Sequence, residues 1–490
     1  MGIIAKQSIR GTIVTYLGIG VGIITTFFVL TRFLTAEEIG LARVLIDAAT
    51  LFVGLAQLGT NSSIIRFYPY FKDKDGDHGF FFWALVVPFI GFVLFALIYW
   101  LCRVPLGAWF GDKSPLFVEY YYFVLPLAFF MLYQTICETT SNVLMHIVVP
   151  RAVRELVVRV GLLALYLLYA FHVLSMDGFV IGLCANYAIA ALINIIYFFS
   201  LQPVNLEPDF EFLKQNPNLI RKYLVYTLFL IVSATTTVLA PTLSSFFVTA
   251  KMGLDSTGIF AIATYMAVMV SVPYRSVTAI ASPQLSRAIK EENRDECSRL
   301  ISQVTRNLLL IGGFILLLIW INIDLIYLIL PNGETYAQAK EVVLILGISQ
   351  LVMATFSICL TTLNYSRYYA VSLLLSLILT VGAILLNNYL VPTRGMEGAA
   401  LSNLLSYAGY FLLIIITVIA LCRVRVVDKQ WLYSLVLLIV LFAINHVWMT
   451  FLPATNIWTD SILRSLIIIG GGAWIAYKAK LSPEINALLH

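Results

Sequence analysis

Six residues stand out from an otherwise apolar run near the N-terminus. Arg43, Asp47, Thr50, Gly54, Gln57 and Asn61 are separated by 4, 3, 4, 3 and 4 positions, which places them on one face of a helix. Apart from Gly59 and Thr60, the intervening residues are Leu, Val, Ile, Ala and Phe. A charge near the centre of a bilayer costs about 2.5–3.5 kcal/mol even on a lenient scale, so this face must meet protein or water. Arg43 and Asp47, four apart, can neutralise each other. Two chemistries fit the face. One is adhesion between helices through hydrogen bonds. The other is the wall of a water-filled cavity able to hold a polar solute.

The pattern recurs. Thr264, Ser271, Arg275, Thr278 and Ser282 are spaced 7, 4, 3 and 4. Arg275 fits a cavity wall, or a side chain that snorkels to the membrane surface. Gln134, Glu138, Ser141 and Asn142 form a third polar face, and Ser233, Thr237, Ser244 and Ser245 a weaker fourth, because hydroxyls can bond their own helix backbone. The candidate cavity residues are therefore Arg43, Asp47, Gln57, Asn61, Glu138, Asn142, Ser271 and Arg275. Pro88, Pro126, Pro241 and Pro273 fall within apolar runs. Proline frees a backbone carbonyl and lets a helix bend, which makes Pro241 and Pro273 candidate hinges. Gly18 and Gly22 form a GxxxG packing pair.

Catalytic chemistry has no foothold. The five histidines are isolated, and there is no GxSxG, HExxH or phosphate-binding loop. The six cysteines are scattered without a CxxC pair, which argues against a disulfide framework and a zinc site. The expectation is a protein that is not an enzyme and needs no cofactor or metal.

The elements that must position these faces are membrane helices. The chain has 490 residues, 60% hydrophobic and only 12% charged, with a mean hydropathy of +0.92. This excludes a water-soluble globular enzyme, a disordered chain and a nucleic-acid-binding domain. At roughly 20 residues per span, the apolar stock suffices for about 14 spans. The apolar runs are 11–34, 39–65, 80–101, 115–145, 152–173, 178–200, 222–249, 256–285, 300–322, 338–364, 368–391, 395–421, 431–452 and 459–477. They are continuous rather than alternating, so a β-barrel is excluded. The first run is too long for a cleavable leader and is read as a span. With the N-terminus in the cytoplasm, about three quarters of the 31 lysines and arginines fall in cytoplasmic loops, and both termini lie inside.

An internal repeat is visible. LTAEEIGLARV around Gly40 and MGLDSTGIFAIA around Gly258 open two spans, offset by 218 residues. Each repeat would hold six spans. Six is even, so the halves are parallel, one of the recognised transporter architectures. The expected domains are a six-helix lobe at 1–200, a cytoplasmic linker at 201–221, a second six-helix lobe at 222–421, and helices 13 and 14 with a cytoplasmic tail at 422–490.

Thr31-Arg-Phe-Leu-Thr-Ala-Glu-Glu-Ile-Gly40 and Leu58-Gly-Thr-Asn-Ser-Ser-Ile-Ile-Arg66-Phe resemble the N-terminal signature of bacterial polysaccharide and O-antigen flippases, members of the multidrug/oligosaccharidyl-lipid/polysaccharide superfamily. The stretch from Gly258 to Arg287, ending Ser-Pro-Gln-Leu-Ser-Arg, and Val391-Pro-Thr-Arg-Gly-Met-Glu-Gly-Ala-Ala400 are similar to later parts of that family. The resemblance implies an all-α integral membrane protein whose two lobes form a V-shaped central cavity. It implies translocation of an undecaprenyl-diphosphate-linked oligosaccharide across the bacterial inner membrane by alternating access, in O-antigen, capsule or exopolysaccharide biosynthesis. Membrane lipids and a polysaccharide polymerase or glycosyltransferases are the implied partners, and nucleic acid is not one. Arg32, Glu38, Gly40 and Arg66 match the signature, with an architectural role implied. Two alternatives stand beside this reading: a cation-coupled multidrug antiporter of the same superfamily, and a membrane-embedded glycan polymerase or ligase.

Overall fold

The computed structural model describes residues 3–72, 77–201, 207–218, 221–223, 242–451 and 456–483. Every element among them is helical. Pro241, Ser233 and Thr237 lie outside the described residues. Among the described residues, ten helices are long and apolar enough to cross a membrane.

The difference between fourteen apolar runs and ten such helices has physical causes. Run 152–173 carries Arg154, Glu155 and Arg159, and a π-helical turn, Val153–Val157, interrupts it. Runs 368–391 and 395–421 are continuous in one 54-residue stretch, Tyr369–Cys422. Gly395 is non-helical inside it, at φ 60° and ψ −134°, a conformation that suits a residue without Cβ. Ser376 Oγ lies 3.2 Å from the Tyr410 hydroxyl, and Ser402 Oγ donates to the Ala383 carbonyl at 3.4 Å. The two arms therefore run antiparallel, as a hairpin. Run 459–477 carries Asp460 and Arg464 and passes through a π-turn, Ser465–Gly470, between Ile457–Arg464 and Gly471–Lys478. Run 222–249 falls mostly outside the described residues.

The chain divides into two compact units, Met1–Gly258 and Ile259–His490. Segment 242–258, which the repeat assigns to the second lobe, thus packs in the first unit. Ser114 Oγ donates to the Thr249 carbonyl at 2.7 Å there.

In the first unit, Thr35 starts the Ala36–Ala56 helix through a capping box. Its hydroxyl accepts from Glu38 N at 3.3 Å, and Glu38 Oε2 accepts from Thr35 N at 2.8 Å. Ala36–Ala56 packs against Val124–Val143, which also packs against Met176–Leu201. The helix ends earlier than the polar periodicity suggests. Leu58 (φ 47°) and Gly59 (φ 70°) turn left-handed, and a new helix, Thr60–Phe71, follows. The single helix expected over 39–65 is corrected accordingly. Phe89, Ile90, Val93, Leu94 and Leu97 of Phe80–Leu101 are exposed, as a lipid-facing surface requires.

The repeat has a structural counterpart. Leu254–Val268 begins 218 residues after Ala36–Ala56 begins, and the two helix starts cross at their glycines. A Cβ on Gly40 would stand 2.0 Å from the Leu254 carbonyl oxygen, and one on Gly258 would stand 1.9 Å from that of Ala36. Each partner is the repeat equivalent of the other, so the contact is reciprocal.

In the second unit, Arg294–Ile321 packs against Lys340–Tyr365, Val272–Lys290 and Lys429–Phe451. Leu317, Ile321, Leu441 and Ile468 form a buried cluster that fastens the last two membrane segments to it. Arg464, buried there, pairs with Asp460 at 2.6 Å. The span expected over 256–285 is present as Leu254–Thr278 and passes through a 3-10 turn, Met269–Ser271. Pro273 lies in the first turn of the helix that follows, where no backbone hydrogen bond is lost to it. Proline interrupts that helix at Pro283 instead.

Candidate functional site

In the first unit the polar face opens on an ion pair. Arg43 Nε donates to Asp47 Oδ2 at 2.8 Å, and Asp47 is buried. Across the helix break, Asn61 Nδ2 donates to Gln57 Oε1 at 2.7 Å, and Gln57 Nε2 donates to the Gly54 carbonyl at 3.4 Å. The two amides thus stay linked although they sit on different sides of the turn.

Glu138 is also buried, and its counter-ion is Arg154, whose Nη1 donates to Glu138 Oε1 at 2.7 Å. Arg154 lies in the π-turn and also reaches Glu155, Nε to Oε1, at 3.4 Å. Buried Glu155 accepts from Arg159 Nη2 at 2.8 Å, and Arg159 Nη1 donates to the Gly18 carbonyl at the same distance. Gly18 and Gly22 make room for this: a Cβ on Gly18 would stand 2.4 Å from the Glu155 carbonyl oxygen, and one on Gly22 would stand 2.7 Å from Arg159 Nη1. Two carboxylates and two guanidinium groups balance within the network. None of Arg154, Glu155 and Arg159 is among the residues singled out from the sequence. The available signal was Glu155 and Arg159, four apart within an apolar run.

Asn61 Oδ1 and Asn142 Oδ1 are buried and accept no hydrogen bond among the described residues. Their helices, Thr60–Phe71 and Val124–Val143, pack together. Such open acceptors are sites for water or a solute hydroxyl.

In the second unit, Arg275, Thr278 and Ser282 line one cavity of about 610 Å³ with Tyr274, Ser286 and Tyr365. The structure brings these three members of the second polar stripe together. Arg275 is exposed to the cavity and has no ion pair among the described residues. Thr278 Oγ1 donates to the Tyr274 carbonyl at 2.7 Å, which leaves its lone pairs open to a donor. Ser271 is buried, and its hydroxyl donates to the Val268 carbonyl at 2.9 Å, in the turn before the helix. It is not part of this cavity's lining. Tyr274 and Tyr365 were not among the sequence candidates, because tyrosines are frequent here and mark no period.

The signature residues have local tasks. Glu38 closes the capping box and accepts a short hydrogen bond from the Tyr169 hydroxyl. Gly40 makes the crossing. Arg32 lies over the Phe33 ring at 5.6 Å and Arg66 over the Phe67 ring at 5.7 Å.

A family model described as "Polysaccharide biosynthesis protein" matches residues 5–289. No curated protein matches the chain significantly in sequence. Among solved structures, the lipid II flippase MurJ in an inward closed conformation matches with a TM-score of 0.72 at 13% identity, over 96% of this chain and 99% of that one. An inward-facing multidrug resistance MATE family transporter of the MOP superfamily matches with a TM-score of 0.62 at 15% identity, over 81% and 93%. A MOP superfamily transporter from Pyrococcus furiosus matches with a TM-score of 0.56 at 13% identity, over 86% and 97%. At these identities the likeness is one of fold.

Proposed function

Because the chain belongs to the polysaccharide biosynthesis family matched over residues 5–289, we propose that it is a flippase. Its substrate is an oligosaccharide on undecaprenyl diphosphate, carried across the bacterial inner membrane by alternating access for O-antigen, capsule or exopolysaccharide assembly. A diphosphate-sugar head cannot cross hydrocarbon unaided, because its charges and hydroxyls lose their water. The observation that carries the reading is Arg275 in its cavity. A guanidinium without a counter-ion suits a phosphate oxygen pair. The hydroxyls of Thr278, Ser282 and Ser286 suit sugar hydroxyls, and the rings of Tyr274 and Tyr365 offer flat apolar surface beside them. The likeness to a structure described as a lipid II flippase agrees with this reading.

The likeness to multidrug transporters raises cation-coupled antiport as the alternative. Coupling of that kind needs an available carboxylate within the membrane. Asp47 and Glu138, the two candidates, are already paired with Arg43 and Arg154.

The test is complementation of a flippase-deficient strain. Arg275→Ala should reach the membrane in wild-type amount and fail to complement, and Arg275→Lys should restore part of the activity. Full complementation by Arg275→Ala would remove Arg275 from the site. Gradient-driven drug export by the purified wild-type protein, without movement of lipid-linked sugar in proteoliposomes, would replace the flippase reading with antiport.

A further inference from the structure

A second and larger cavity, about 1220 Å³, opens at one end of the second unit, where the Arg294–Ile321 and Lys429–Phe451 helices begin. It is built rather than incidental. The loop 423–428 that forms one wall is tied to Arg294–Ile321 by its backbone: Arg425 N donates to Ser298 Oγ at 3.0 Å, and Thr305 Oγ1 donates to the Val426 carbonyl at 3.1 Å. Arg423 is held in the left-handed region at φ 54°, a conformation unfavourable for a residue with a Cβ.

The charge in the cavity is unbalanced. Buried Arg306 has its charge paired, since its Nη1 donates to Asp428 Oδ2 and Gln430 Oε1, each at 2.5 Å, although its Nε finds no acceptor among the described residues. Arg299 is bound to Glu296 at 2.6 Å. That leaves four cations, Arg294, Arg423, Arg425 and Lys429, lining the cavity with no ion pair among the described residues, against one further carboxylate, Asp295. Trp431 Nε1, on the same lining, is buried and donates to nothing among the described residues. Both helices also begin here, with N-termini capped by Asn293, which accepts from Glu296 N, and by Asp428, which accepts from Trp431 N.

We propose that this cavity binds the phosphodiester headgroup of an anionic phospholipid. The chemistry asks for a phosphate, and the position selects a lipid as its source. Both helices are long and apolar enough to cross a membrane, so their ends lie at headgroup depth. Immediately beyond the cavity, Leu432, Tyr433 and Val436 are exposed on the surface that acyl chains would cover. A basic pocket between membrane helices is a known way to hold an anionic headgroup. This proposal stands apart from the flippase reading and holds whatever solute the protein moves.

The test uses the full chain, purified in detergent, with lipid retention counted by native mass spectrometry. Wild type should retain phosphatidylglycerol at least tenfold better than phosphatidylcholine of the same acyl chains. Arg425→Gln combined with Lys429→Gln should abolish the preference without changing thermal unfolding. Arg287→Gln, at an exposed cation outside the cavity, should leave it intact. Equal retention of the two lipids, or undiminished preference in the double variant, overturns the proposal. So does displacement of phosphatidylglycerol by millimolar inorganic phosphate, which would assign the cavity to a soluble phosphate.

Discussion

At the scale of single residues, the intramembrane charges of the first unit come in neutral sets, and this decides how mutations there must be read. Removing Arg43 alone strands buried Asp47. An uncompensated buried charge costs roughly 3 kcal/mol or more, whereas replacing both partners can be close to neutral. Arg43→Ala and Asp47→Ala should therefore each lower thermal stability in detergent, and the double variant should recover most of it. Transport by the recovered double variant separates adhesion from solute binding: full activity means that the pair only holds helices together. The pair itself is legible in sequence, because both partners share one helix at a spacing of four. The Glu138–Arg154 pair is not, since its members are 16 positions apart and meet through a π-turn. Side-chain periodicity carries no trace of an extra residue in a helical turn. Arg275 was legible as a polar position on an apolar helix, but its two tyrosine neighbours were not.

At the scale of elements, the apolar runs placed the membrane helices well and their ends poorly. Hydropathy registers composition, and composition does not change at Leu58–Gly59, where the backbone turns left-handed, or at Met269–Ser271, where the helix tightens to a 3-10 turn. The reversal at Gly395 has a local signal, because Pro392 and Gly395 stand three positions apart between two apolar runs. The crossing of Gly40 and Gly258 yields a quantitative expectation. Added methyl groups would land about 2 Å from a carbonyl oxygen on the facing helix, so the helices must separate. Gly40→Ala and Gly258→Ala should each cost about 1–3 kcal/mol, the usual range for overpacking. Thermal unfolding of the two variants checks this, and a wild-type midpoint for both would mean that the helices adjust freely. Because the two contacts mirror one another under the repeat, the losses should be similar.

At the scale of the whole molecule, the distribution of Lys and Arg was the most informative property of the sequence. Contacts within each unit join ends that this distribution puts on the same side of the membrane. Tyr169 meets Glu38, Tyr120 meets Asp177, and His78 meets Asp209. In the second unit Lys340 meets Asp324, and Ser482 meets Asn307. Each pair except Lys340–Asp324, which flanks a single loop, would have been split had one span been miscounted between its members. Reporter fusions at Lys214 and Lys429 should therefore report the cytoplasm, and fusions at Lys113 and Lys340 the opposite side. A single fusion of the wrong sign would require a span to be added or removed. Substrate identity was not legible at this scale, because hydropathy and charge asymmetry serve any membrane protein, whatever it carries.

The mirrored glycine contact also constrains how such a gene can change. A hybrid that took its first 200 codons from a homologue with alanine in place of Gly40 would drive a methyl group against the backbone of Leu254, which came from the other parent. Recombination between diverged alleles should then succeed only when both crossing segments are inherited together. Breakpoints in viable mosaics would fall before codon 36 or after codon 258, and the interval between them would travel as a block.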